Sequence, residues 1–372
     1  METFALRVRT LMREREISLR RLAKTINYDS GYLSRVLNGH RPPSPAMAKL
    51  IDTVLDADGT IVALANREIG RRRPLPSGRS RRVDPELIGY FSAQLAGHYV
   101  ADRQLGAPSL TPIVADQYRL VCDIASEAEE PSHRQMWSLA AAYAAFLGWL
   151  YQDSGDLRKS AHWHDVMLER AHRSCDEQLV AFALHNKAML YVDMCDGASA
   201  VDLTEAALVN APALCAKVRV LALQQAAHGR SLLGGDGALE ECNRLLDQAD
   251  RLIDRIDDPY PWGSACLTPH YLAVQRATCY VRLGADREAL SLWDSILPTM
   301  PPGARRDEGV FRARQARSLA ATGEPEQAME VAREVALLVE ETGSARMRRE
   351  LQALKATLRP WAEEGLAKNR TR

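Results

Sequence analysis

The sequence predicts an all-α protein: a five-helix head, a break, and a long stack of antiparallel helix pairs. Three observations carry that expectation. Apolar residues recur at three- and four-residue intervals almost throughout, and no segment sustains the two-residue alternation of a half-buried strand. Residues 67–85, REIGRRRPLPSGRSRRVDP, gather seven arginines, three prolines and two glycines, a composition that breaks helices and repels itself. Beyond that break, one frame of a small residue followed by a turn residue returns every 39 to 50 residues.

The head is read helix by helix. Phe4, Val8 and Leu11 form one apolar face of a first helix. Ser18 is an N-cap for a short second helix, SLRRLAKTI, with Leu22 and Ala23 inward. Asn27-Tyr28 makes the turn, and Asp29 caps a third helix, SGYLSRVLNG, that ends at Gly39. Arg41-Pro42-Pro43 forces extended backbone. Ser44-Pro45 opens a fourth helix, a capping residue followed by proline at the first helical position, with Leu50, Ile51, Val54 and Leu55 as its buried stripe. Asp58-Gly59 turns into a fifth helix ending near Asn66. Residues 1–66 therefore make the head, 67–85 a linker and 86–372 the body.

The run Ser18-Leu19-x-x-Leu22-Ala23, then Tyr32-Leu33-Ser34-Arg35-Val36, then Asn38-Gly39-x-Arg41-x-Pro43-Ser44 resembles the Cro/lambda-repressor-like (XRE) helix-turn-helix family, from Phe4 to about Leu64. The resemblance implies a transcription regulator that binds double-stranded DNA. The third helix would present its first turn to base edges in the major groove: Ser30, Gly31 and Tyr32, with Ser34 and Arg35 one turn on. Serine donates or accepts, arginine makes paired bonds to guanine or holds phosphate, and Gly31 lets the backbone come close. Phosphate contacts carried over from the family fall on Ser18, Arg21, Asn38 and Arg41. The family often has glutamine where this chain has Leu19, which removes one polar contact. Tyr28 and Leu33 are read as core residues.

Charge agrees. Residues 1–82 hold 17 Lys and Arg against 8 Asp and Glu, the remainder 31 against 40, so a formal net charge of zero hides a basic head on an acidic body. The arginine-rich linker has two readings, an arm along DNA through Arg71–Arg73 and Arg79–Arg82 or a solvated hinge.

The repeat frame aligns Gly148-x-x-Tyr151-x-x-x-Gly155 with Ala277-x-x-Tyr280-x-x-x-Gly284, with Ala227 to Gly234 and Ala316 to Gly323, and more weakly with Ala188-x-x-Tyr191, where Cys195 replaces the glycine. Ala200, Ala289 and Ala328 match in the helix after the turn. A small residue lets two helices approach, and glycine ends a helix in the left-handed conformation. The pattern resembles the tetratricopeptide repeat, an α-solenoid of helix pairs. A further pair, Pro85 to Gln104 and Pro112 to Ala128, is expected to precede it as a cap. In that family the first helix of each unit lines the concave side. The inward candidates for an effector are Trp149, Gln152, His185, Asn186, Met189, Asp193, Gln224, His228, Tyr271 and Arg282, polar groups beside apolar walls. A head and body of this kind are architecturally similar to the Rgg/PlcR-type regulators, which implies a homodimer on a palindromic operator and a peptide effector; a small molecule or another protein remains an alternative. The rival reading is an interaction scaffold with only weak, non-specific DNA tethering.

Other chemistry is not legible. The sequence carries no phosphate-binding glycine loop and no catalytic constellation, so it is read as a non-enzyme without cofactor. His162 and His164 stand about 200° apart on a helix and cannot share a metal ion. Seven scattered cysteines, with no CxxC, read as core residues in a reducing compartment. The longest near-apolar run, Leu139 to Tyr151, is too short to span a bilayer, so the expected location is the cytoplasm.

Overall fold

A computed structural model of the chain describes residues 3–15, 17–26, 28–38, 43–70, 82–258, 260–301 and 303–370. Among them are eighteen α-helices and no strand. The contacts divide the chain into two units, residues 1–79 and 80–372.

The head consists of α1 (Phe4–Glu14), α2 (Leu19–Thr25), α3 (Ser30–Leu37), α4 (Pro45–Val54) and α5 (Thr60–Gly70). The expected caps form. Ser18 Oγ accepts from the Arg21 amide, Asp29 Oδ1 from the Tyr32 amide and Ser44 Oγ from the Met47 amide, each satisfying a donor with no partner inside its helix. Thr3 and Asp52 supply two further caps that the sequence did not announce. Asp52, on α4, reaches across to accept from the amides of Gly59, Ile61 and Val62 at 2.8 to 3.2 Å, and so caps α5 from another helix. The core holds Phe4, Val8, Leu11, Leu22, Ala23, Leu33, Val36 and Ile61. One expectation is corrected in part: Ile51 and Leu55 are buried as expected and Val54 is half-buried against the core, but Met47 and Ala48 join the stripe and Leu50 is 44% exposed. The buried stripe includes Met47 and Ala48 in the first turn, which fixes the helix rotation and turns Leu50 outward. The fifth helix continues four residues past Asn66, and residues 71–81 of the expected linker lie outside the described residues.

The body opens with α6 (Pro85–Leu105) and α7 (Ala107–Glu127). The second of these starts five residues before the expected Pro112, which lies inside it. Five pairs follow: α8 (Ser132–Ser154) with α9 (Leu157–Ser174), α10 (Glu177–Asp193) with α11 (Gly197–Leu208), α12 (Ala216–Leu233) with α13 (Ala238–Ile253), α14 (Tyr271–Leu283) with α15 (Asp286–Ile296), and α16 (Arg305–Ala321) with α17 (Pro325–Thr342). A last helix, α18 (Ala345–Arg370), packs on α16 and α17 and also touches α8, so the end of the array returns to its beginning.

The small-residue anchors are explained by packing. Ala188, Ala227, Ala277, Ala316, Ala200, Ala289 and Ala328 are all fully buried. At Gly148 a methyl group would come within 2.4 Å of the His164 ring on α9, so only glycine lets α8 and α9 approach this closely. Gly155, Gly284 and Gly323 take positive φ at the turns, and Cys195 takes the same left-handed conformation at φ +60° without being glycine.

The one long interval in the frame, between Ala227 and Ala277, has a cause. Residues 254–258 and 260–270 leave the end of α13 and cross α12 to reach α10 as a strap. Trp262 is buried and stacks on Phe182 of α10 at 4.2 Å and on Tyr260 at 4.6 Å. Lys217 of α12 donates to Asp258 Oδ1 at 2.7 Å and to the Tyr260 carbonyl at 3.0 Å, beneath the Trp262 ring.

Candidate nucleic-acid interface and repeat interior

The α3 N-terminus carries the residues expected to read bases. Gly31 and Arg35 are exposed, and Ser30, Tyr32 and Ser34 are half-buried. The Arg35 and Arg21 guanidinium groups form no hydrogen bond or ion pair with the described residues, which leaves two long cationic side chains facing solvent on α3 and α2. Tyr32 is held in place by stacking on Tyr28 at 6.1 Å, and Leu33 is core, as expected. A methyl group on Gly31 would lie 3.1 Å from Asp29 Oδ1, so this glycine also makes room for the cap. Ser34 and Asn38 belong to a small network: Asn38 Nδ2 donates to Ser34 Oγ at 3.3 Å, while Asn38 Oδ1 and the Leu37 carbonyl accept from Arg9 of α1. Arg9 thereby fixes the end of α3, a role that needs a contact 28 residues away and left no mark in the sequence pattern. Arg41 lies outside the described residues.

In the body, the ten inward candidates fall into two groups and two stragglers. Gln224, His228, Tyr271 and Arg282 join one chain of hydrogen bonds through Gln275. Tyr271 donates to Gln224 Oε1 at 2.9 Å, Gln224 Nε2 reaches Gln275 Oε1 at 3.4 Å, and His228 Nε2 contacts the same oxygen at 2.8 Å. Arg282 Nη1 donates to His228 Nδ1 at 2.6 Å, so the imidazole is neutral with its proton on Nε2. Burial, and after it the Arg282 charge, holds the His228 pKa well below its ordinary value. Trp149, Gln152, Met189 and Asp193 form the second group with Asp102 and residues of α16 and α18. Gln152 Nε2 donates to Asp193 Oδ2 at 2.9 Å and toward the Met189 carbonyl at 3.5 Å, and Trp149 Nε1 donates to Asp102 Oδ2 at 2.9 Å.

His185 and Asn186 stand apart. Asn186 Nδ2 bonds to the Phe182 carbonyl of its own helix at 2.7 Å, and His185 stacks on Phe182, the ring that the strap's Trp262 covers. Burial lowers the His185 pKa to about 4. Most of the inward candidates thus meet protein groups of their own chain rather than an open groove. Asp102, Asp153, Gln275, Arg306, Arg346 and Arg349 complete the interior and were missed, because each reads by itself as an ordinary polar or charged position and its partners come from distant helices. Among the described residues no helix is long and apolar enough to cross a membrane, and no cluster of His, Cys, Asp or Glu is arranged to hold a metal.

A family model described as a helix-turn-helix domain matches residues 3–65. No curated protein matches the chain. Among solved structures, the chain is similar to Bacillus thuringiensis PlcR in complex with the peptide PapR7 and DNA, with 16% identity and a TM-score of 0.38 over 80% of this chain and 96% of that one. The chain therefore carries a helix-turn-helix domain at residues 3–65, followed by a helical-repeat body.

Proposed function

We propose that the protein is a sequence-specific DNA-binding transcription regulator whose repeat body dimerises and senses an effector, a peptide or a small molecule. The observation that carries this reading is the exposed face of α3 within a matched helix-turn-helix domain, where Gly31 and Arg35 face solvent and Arg35 has no partner among the described residues. Ser30, Gly31, Tyr32, Ser34 and Arg35 read base edges, and Ser18, Arg21, Asn38 and Arg41 hold phosphates. The head is basic and the body acidic, so attraction to a polyanion is confined to one end of the chain. A two-fold dimer places two such heads on a palindromic operator. The protein works in the cytoplasm, where reducing conditions suit its seven free cysteines. The buried polar groups Gln224, His228, Tyr271 and Arg282 supply an interior that an effector can rearrange.

The test is selection of bound genomic fragments with the full chain, followed by titration of the best site. Arg35→Ala should lose about 1–3 kcal/mol of site-specific affinity, the value of one paired base contact, and relax the preference at one position. A variant that binds the selected site as tightly as the parent sinks the assignment of α3.

A further inference from the structure

Three first helices of the body end on a carboxylate. Asp102 lies in the last turn of α6, Asp153 in the last turn of α8, and Asp193 is the last residue of α10. The C-terminal end of a helix carries partial negative charge, so each carboxylate sits where its own helix disfavours it. Their partners are misplaced in the opposite sense. Arg306 is the second residue of α16 and Arg346 the second residue of α18, with Arg349 three residues on, at ends that carry partial positive charge.

The two misplaced sets meet. Arg306 donates to the Asp102 carbonyl at 3.0 Å and to its Oδ1 at 3.2 Å, and pairs with Asp153. Arg349 donates to Asp193 Oδ2 at 2.6 Å, the oxygen that Gln152 also serves. Arg346 pairs with Asp307, lies 3.8 Å from Asp153 Oδ1, and places its guanidinium 5.2 Å from the centre of the Trp149 ring. Asp153 is 2% exposed. The fit is incomplete. Asp153 Oδ1 and the Nε atoms of Arg306 and Arg346 are buried without a hydrogen bond, beside a cavity of about 50 Å³ lined by Asp102, Trp149, Asp153, Arg306, Asp307 and Arg346. An aromatic face flanked by carboxylates is the recognition chemistry of a guanidinium group.

We propose that Asp102, Trp149, Asp153 and Asp193 form a binding site for the guanidinium group of an external ligand, held shut in this structure by Arg306, Arg346 and Arg349 of the chain itself. The ligand competes with α16 and α18 for the first helices of the body, and its entry releases the end of the array from its beginning. Neither half is favoured by its own helix, so each half is ready to accept a substitute for the cross-pairing. The inference rests on the proposed effector sensing for its biological meaning, but not for its test, which uses no DNA.

The test uses the full chain, amide hydrogen exchange and titration calorimetry with methylguanidinium, L-arginine, an arginine-bearing pentapeptide and its lysine counterpart. In Arg346→Ala–Arg349→Ala, exchange in the last turns of α8 and α10 should rise about tenfold or more, as the loss of one charge-assisted hydrogen bond gives. Methylguanidinium should bind that variant more tightly than the parent and restore part of the protection. Asp153→Asn should abolish the binding. Tighter binding of the arginine peptide than of L-arginine identifies a peptide ligand, and equal binding identifies the free amino acid; either supports the site. Unchanged exchange in the double variant, or methylguanidinium binding that survives Asp153→Asn, overturns it. If the double variant fails to fold, Arg349→Ala alone, read at the last turn of α10, decides by the same criterion.

Discussion

Lys217 offers the sharpest test of how the strap is held. Its side chain is 2% exposed and that of Asp258 is 6% exposed, and their contact at 2.7 Å joins α12 to the strap. Lys217→Met keeps the length and removes the charge, leaving Asp258 buried against an apolar neighbour. Breaking one side of a buried pair typically costs about 3–5 kcal/mol, whereas replacing both partners with packed apolar groups is often neutral. The strap can detach without unfolding the array, because stability is local and its anchors are Trp262, Tyr260 and this pair. The expected effect is therefore local: amide exchange in 256–267 accelerates by about two to three orders of magnitude, since each 1.4 kcal/mol is tenfold. Lys217→Met–Asp258→Leu should recover most of that loss. Exchange mass spectrometry on both variants checks it. If Lys217→Met exchanges like the parent, or the double variant is no better than the single, the pair does not hold the strap.

Two further outcomes follow from the packing. Gly148→Ala forces the His164 ring to move and should lower stability by about 1–3 kcal/mol, the usual cost of an overpacked core, measured as a fall in the denaturant midpoint with unchanged slope. Stability should also fall on acidification: burial lowers the folded-state pKa of His164 to about 3 and of His185 to about 4, while the unfolded chain takes up these protons below about pH 6.5. The unfolded state then binds more protons between about pH 6.5 and about pH 4, so the melting temperature should drop through that window. His164→Gln should flatten the drop, and an unchanged pH profile in that variant would count against the buried neutral imidazole.

What could be read in advance was local. Ser18, Asp29 and Ser44 announce helix starts because a cap bonds to an amide three residues away, and Gly155, Gly284 and Gly323 announce helix ends because glycine takes the left-handed conformation at least cost. The spacing of 50 between Ala227 and Ala277 also held a legible sign of the strap, an insertion of about ten residues beyond its neighbours. The long-range contacts had no such sign. Arg306 and Asp102 are 204 positions apart, and each reads as an ordinary solvated charge within its own helix. At α4 Ile51 and Leu55 are inward as the pattern implies and Val54 packs against the core, but Leu50 is apolar without being inward. In α10 and α12 both faces are largely buried, so period alone could not separate groove from core.

The interior of the body is closed by two seals of different kinds. Near the starts of α10 and α12 the strap stacks Trp262 on Phe182 and brings Gly263 against Leu221, and at the far ends of α6, α8 and α10 arginines from α16 and α18 cross to carboxylates. Between them Arg282 donates to the neutral His228 and toward Ser231 at 3.4 Å, and has no carboxylate within ion-pairing distance among the described residues. A body built only for rigidity gains nothing from this, since packed apolar groups in place of buried charges often leave a protein equally or more stable. Charged pairs gather where the first helices converge, while α8–α9 packs largely through Ala, Leu and Gly around the neutral His164 ring. Local rules are most often broken at sites that bind or move. The strap combines aromatic stacking with one buried ion pair, Lys217 with Asp258, whereas the far seal rests on a network of arginines and carboxylates.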